Sequence, residues 1–210
     1  MTQPVSSHPT SVDLLVLHTL RCIGFSSLPG VARATGLPES DVESELIDLG
    51  VAGLVTHTAG DFGGWNLTED GRASDAERIA AEVTAAGARV RLTAAFDRFL
   101  VLNPELLDLC TAWQTRTLGG AMTMNDHSDP SYDARVLDRF MEFHQRAEPL
   151  CAELSATLLR FQRYPVRLAD ALARAKAGSL EYIADSTSSY HTVWFQLHED
   201  LLATLGIPRH

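Results

Sequence analysis

The chain has 210 residues, 45% hydrophobic and 21% charged, the composition of an ordinary globular protein with one large domain or two small ones. The formal net charge is −10, and Lys176 is the only lysine. Nucleic-acid binding draws most of its affinity from neutralised phosphates, so this balance works against a broad nucleic-acid surface.

In chain order, residues 1–11 form a short polar arm without the basic and apolar regions of a secretory leader. Val12–Ile23 is an apolar run of helical length, and Phe25, Ser26 and Ser27 suit a short extended piece. Leu28–Thr35 opens with Pro29 near its first position and stops at Gly36, as helices do. Residues 40–49 form the next helix, with Ser40 as N-cap and Glu43 completing a capping box. Val42, Leu46 and Leu49 make its apolar stripe, and Gly50 ends it. Residues 54–58 and 65–67 are strands joined by the glycine-rich turn Gly60-Asp61-Phe62-Gly63-Gly64. Thr68 caps a further helix with Gly71 in its first turn. Helix, helix, helix, hairpin, helix is the order of a winged helix-turn-helix.

From Arg72 onward the pattern is helical. Residues 73–86 end at Gly87, residues 90–102 are amphipathic, and Pro104 starts a helix reaching about Thr117. Residues 118–128 are a loop containing Gly119 and Gly120. Asp129-Pro130 opens a long helix as cap and first residue. Pro149 and Pro165 divide the remaining chain into further helices, Gly178 and residues 186–189 mark more breaks, and residues 189–205 are the final helix. The expected fold is mainly α: an N-terminal winged helix-turn-helix with a small β-hairpin (12–86) after the arm, then an all-α domain (87–210) for dimerisation or ligand binding. No apolar run reaches the roughly 20 residues needed to span a bilayer, so a cytoplasmic protein is expected. Cys22, Cys110 and Cys151 lie far apart in apolar helices and read as buried thiols. No cofactor and no metal site is expected.

Two segments resemble the MarR family of winged-helix regulators. Gly50-Val51-Ala52-Gly53-Leu54-Val55 ends the third helix and opens the hairpin. Leu67-Thr68-Glu69-Asp70-Gly71-Arg72 matches the Leu-Thr-x-x-Gly signature that closes the wing. The resemblance covers roughly residues 12 to 85. It implies a homodimer whose third helix enters the DNA major groove, so the DNA-facing set would be Arg33, Ser40, Ser44, His57, Trp65 and Arg72. The residues themselves argue otherwise. Opposite the apolar stripe stand Ser40, Asp41, Ser44 and Asp48, flanked by Glu43 and Glu45. No lysine or arginine lies between Arg33 and Arg72. Wings of this family carry an Asp followed closely by an Arg, whereas Asp61 is followed by Phe62, Gly63 and Gly64.

In the final helix the apolar arc runs from Val193 through Leu197, Tyr190, Leu201, Trp194, Leu205 and Leu202 to Phe195. It includes His191 and His198 and leaves Gln196 and Asp200 outside. The two histidines are two turns apart, about 10 Å, too far to share one metal. They read as core histidines or as parts of a pocket. Trp113 and Arg116 end a helix just before the polar loop of Asp126 and His127. The expected ligand site therefore gathers Trp113, Arg116, Asp126, His127, His191, Trp194 and His198. No standard catalytic signature is present, and His127, His191, His198 and Asp126 are the candidate parts if the protein is an enzyme. Arg160, Arg163, Arg167, Arg174 and Lys176 concentrate charge around Tyr164-Pro165. They suit a phosphorylated or carboxylate ligand, or routine surface pairing with Glu153, Asp170 and Glu181. Two functions fit these residues: a MarR-like regulator whose helical domain senses a small molecule, or a winged-helix scaffold that does not bind DNA and instead binds or transforms a metabolite.

Overall fold

The structure, a computed structural model, describes residues 8–60 and 62–208. Most of the arm, Asp61 at the first turn and the last two residues lie outside them. Three helices come first: α1 (Val12–Ile23), α2 (Leu28–Thr35) and α3 (Glu39–Val51). The hairpin of β1 (Val55–Thr58) and β2 (Gly64–Leu67) comes next, in the predicted place. Its antiparallel register pairs Val55 with Leu67 and His57 with Trp65. The predicted extended piece is there too, since Ser26 bridges to Trp65 beside the hairpin.

Helix α4 (Glu69–Ala85) shows why its entry reads Leu-Thr-x-x-Gly. Thr68 Oγ1 accepts the Gly71 N–H at 2.9 Å and donates to the Gly53 carbonyl at 2.8 Å. The first turn thereby comes so close to β1 that a Cβ on Gly71 would lie 1.9 Å from the Leu54 carbonyl oxygen. At position 71 only glycine fits without backbone movement.

The C-terminal part is built on α5 (Arg89–Gln114), α6 (Pro130–Thr157), α7 (Arg163–Lys176) and α8 (Tyr190–Leu205). Two short 3-10 turns, Leu159–Gln162 and Leu180–Tyr182, link the last three helices. Several expectations are corrected by this part of the fold. Pro104 and Pro149 do not divide helices; each lies inside one. Both prolines are exposed, as are Leu100 and Gln145, whose carbonyls lose their partners. An unpaired carbonyl on a solvent-facing side costs far less than a buried one, so these helices continue.

The C-terminal part is also not all-α. Strands β3 (Thr115–Leu118) and β4 (Ala121–Met124) form a second hairpin in place of the expected loop. Gly119 and Gly120 both have positive φ, 58° and 86°, the pair of left-handed residues that a two-residue primed turn requires. Helix α3 begins at Glu39 rather than at a Ser40 cap, because the Pro38 carbonyl already accepts from Asp41 and Val42. The end of the arm is docked: His8 bridges to Leu158, and its carbonyl accepts from Leu159 at 3.0 Å.

Two apolar clusters result. Val16, Leu17 and Leu20 of α1 pack with Val31, Val42, Leu46, Val55 and Leu67. The larger cluster fills the helical part and takes in Leu14, Ile79 and Val83 from α1 and α4. Helix α8 touches α5 on one side and α1, α4 and α7 on another. Among the described residues no helix is long and apolar enough to cross a membrane.

Candidate functional site

Between the two clusters runs a buried polar seam, and α8 supplies its centre. Asp200 is fully buried. Its Oδ1 lies 3.1 Å from His18 Nε2, and its Oδ2 accepts from Arg163 Nη2 and Tyr164 OH, both at 2.8 Å. Arg160 Nη1 also donates to Asp200, while its Nε reaches Glu82 at 3.0 Å and its Nη2 reaches Thr204 at 2.6 Å. The other His18 nitrogen, Nδ1, is 2.9 Å from Asp75. Both ring nitrogens of His18 thus face carboxylates, which only the doubly protonated ring can satisfy as donor.

The charges follow from this geometry. Burial alone would push His18 down, but the Cys22 sulfur, Asp200 and Asp75 outweigh it and hold the imidazole well above its usual range. Burial alone would raise Asp200, but Arg160, His18 and Arg163 hold it well below the usual carboxylate range.

His18, Cys22 and Asp200 also place potential metal-ligating atoms within 4.8 Å of one another. The donor set does not suit a cation. Both His18 nitrogens are already engaged, and Asp200 accepts from two guanidiniums that would sit beside the ion. The cluster is an ion-pair network that joins the two halves.

The outer side of this seam opens into a cavity of about 430 Å³, lined by Arg33, Arg160, Gln162, Arg163 and Arg167, with Leu15, Leu159 and Val166 as apolar wall. Arg33 and Arg167 also line a second cavity of about 500 Å³ with Ser188, Thr192 and Gln196. The two cavities therefore share these two arginines as lining. Arg167 Nη2 donates to Gln196 Oε1 at 2.6 Å, and Arg33 Nη1 donates to Ser188 Oγ at 3.4 Å. Among the described residues neither arginine pairs with a carboxylate. Burial lowers Arg167 to about 10, with Tyr164 opposing and the guanidiniums of Arg163 and Arg33 adding to the drop. Arg163 Nε is buried without an acceptor. The basic concentration in the sequence thus divides. Arg160 and Arg163 are buried in the seam, Arg167 lines the cavities, and Arg174 pairs with Asp170 at the surface.

The residues expected to face DNA do not form one surface: Arg72 lines a cavity with Arg21 and Phe195, and Trp65 is half-buried. Ser40, Ser44 and His57 are exposed, as are Arg33 and Arg72, and His57 packs on Trp65 with ring centroids 4.6 Å apart. Glu39, Asp41, Glu43 and Asp48 are exposed on the same helix. Arg33 is turned instead towards Ser188 and the cavities.

The residues expected to form one ligand site fall into separate groups. Trp113 packs on His127 with centroids 4.8 Å apart, and Arg116 bonds to Asp126 beside them. His127 Nδ1 lies 3.0 Å from Asp133 Oδ2, and its φ of 55° places a non-glycine residue in the left-handed region. His198 instead stacks on Phe99 at 5.0 Å, beside Trp194 at 4.7 Å from the same ring. Phe99 and Trp113 are 14 residues apart on α5, about 21 Å along its axis, so these groups share no pocket. His191 is half-buried at the start of α8.

Sequence reasoning misses His18, Asp75 and Asp200. A helical wheel puts Asp200 and Gln196 outside the buried arc of the last helix, but both are buried. Helix α8 is covered on more than one side, so a one-sided wheel misassigns its polar residues. His18 is hidden inside the apolar run of α1. Comparison of the chain with protein-family models, with curated proteins and with solved structures gives no match.

Proposed function

We propose that this is a winged-helix protein of MarR-like form that binds a small molecule at the joint between its two halves, and that α3 does not read DNA. The observation that carries this reading is the distribution of charge. The joint concentrates Arg33 and Arg167 without carboxylate partners among the described residues, while α3 exposes Glu39, Asp41, Glu43 and Asp48. Carboxylates on the groove-facing helix repel phosphates, and the cavities fall within the size range of small-molecule sites. The order of helices and hairpin supports the winged-helix part. A homodimer in solution belongs to the same proposal and is checked by light scattering as twice the chain mass.

The experiment is fluorescence anisotropy of labelled duplex DNA, including the protein's own promoter region, across a salt series. The expected result is weak binding with a shallow slope, since each neutralised phosphate adds about one unit to it. Nanomolar affinity with a steep slope would instead establish the rival reading, a DNA-binding regulator.

A further inference from the structure

We propose that the joint binds a phosphomonoester, with Arg33, Arg167 and Ser188 holding the phosphate and the wall of Leu15, Leu159 and Val166 holding the organic part. This rests on the reading of the joint as the ligand site and adds the chemical class of the ligand.

Charge comes first. Two guanidiniums from different parts of the fold, α2 and α7, line both cavities, and neither has a carboxylate partner among the described residues. Arg163 contributes a third guanidinium to the same wall. Its terminal nitrogens already donate to Thr19, Tyr164 and Asp200 and its Nε is buried, so it adds positive charge to the wall rather than a direct bond. A monoanion would leave one of the two free arginines unmatched. A phosphomonoester carries close to two negative charges at neutral pH and offers three acceptor oxygens. Planar guanidinium forks suit such oxygens, and each charge-assisted bond is about twice as strong as a neutral one.

Geometry adds a neutral donor. Ser188 Oγ accepts from Arg33, which leaves its own hydroxyl hydrogen free for a phosphate oxygen. Shape adds the remainder. The first cavity is mostly apolar apart from its arginines, so the group esterified to the phosphate is expected to have an apolar face. Burial is the main reason Arg167 is lowered, with Arg163 and Arg33 adding to the drop, so an anion placed between Arg167 and Arg33 would favour its charged form.

The site also bridges the two halves: Arg33 belongs to α2, whereas Arg163 and Arg167 belong to α7. A bound phosphate therefore ties the N-terminal helices to the C-terminal ones and stabilises the folded chain by mass action.

The test is isothermal titration of the full chain with phenyl phosphate, inorganic phosphate and benzoate, at pH 7.5 and 5.5. Arg33→Gln and Arg167→Gln are the site variants, and Arg174→Gln, at the exposed pair with Asp170, is the control. Neither site variant strands a buried carboxylate, so both are expected to fold, with circular dichroism as the check. Phenyl phosphate is expected to bind more tightly than benzoate and to weaken at pH 5.5, where its second charge is lost near a pKa of ~6. Each site variant is expected to weaken it about tenfold or more, as for loss of one charge-assisted contact, with no change in the control. Benzoate binding as tightly as phenyl phosphate, with the same losses in the site variants, would overturn the phosphate assignment and leave the joint as the ligand site. Binding unchanged in both site variants, or no binding of any probe, would overturn the site itself.

Discussion

At the scale of single residues, the molecule turns on Asp200. One carboxylate accepts from Arg160, Arg163 and Tyr164 and faces His18, all of them buried. Removing one partner of a buried ion pair strands the others, which typically costs about 3–5 kcal/mol. Asp200→Asn is therefore expected to lower stability by about that amount in urea titration, far more than the exposed pair Arg174→Gln. The pH dependence has a definite sign. His18 is raised in the folded state, so its contribution is fully present below its unfolded value of ~6.5 and is lost as pH rises through the folded value. Asp200 is lowered, so its contribution is present above about 3.9 and is lost as pH falls through the folded value. Melting temperature is expected to be highest on the mildly acidic side and to decline with alkalinity. His18→Gln should flatten the alkaline decline; an unchanged decline in that variant would assign it to another group.

At the scale of elements, the sequence is most legible where one local rule governs. The Leu-Thr-x-x-Gly entry of α4 and the Asp129 cap of α6 are both as expected, with Asp129 Oδ1 accepting from Ser131 and Tyr132 at 3.0 Å each. Legibility fails where a rule depends on which way a residue faces. Pro104 and Pro149 break helices only if the carbonyl they free is buried, and exposure is not written in the chain locally. The Gly119-Gly120 turn is a legible signal, but the flanking Thr-Arg-Thr-Leu and Ala-Met-Thr-Met hide the strands because they lack a buried face: every residue of β4 is exposed. The pairing of Trp113 with His127 and of Arg116 with Asp126 can be read from sequence proximity, whereas the joint cannot, since Arg33 and Arg167 are distant in the chain. One prediction belongs to this scale. Gly71→Ala sets a methyl against the Leu54 carbonyl, and overpacking of this kind costs about 1–3 kcal/mol. A thermal melt is the measurement, with exposed Gly53→Ala as a weak comparison for left-handed strain alone.

At the scale of the whole molecule, the seam decides how the halves behave. His18, Asp75 and Glu82 come from the N-terminal half, and Arg160, Arg163 and Asp200 from the C-terminal half. Neither half can separate without breaking the His18–Asp200 and Arg160–Glu82 pairs that cross between them. Urea unfolding is therefore expected as one transition, with far-UV and near-UV signals coinciding. Two separated transitions would show that the halves fold independently and that the ion pairs contribute little.

The same seam has a consequence for synthesis. Asp200 follows His18 by 182 residues, so at a translation rate of about 5–20 residues per second the imidazole waits roughly 10–35 s for it. During that interval Arg160 and Arg163 also emerge ahead of the carboxylate they share. The helices of the N-terminal half can form on the ribosome and Asp75 can meet one nitrogen of His18, but its other nitrogen and the shared contact of Arg160 and Arg163 lack Asp200 until α8 is released. The nascent chain is therefore expected to reach its final packing only after α8 supplies the carboxylate that completes the seam.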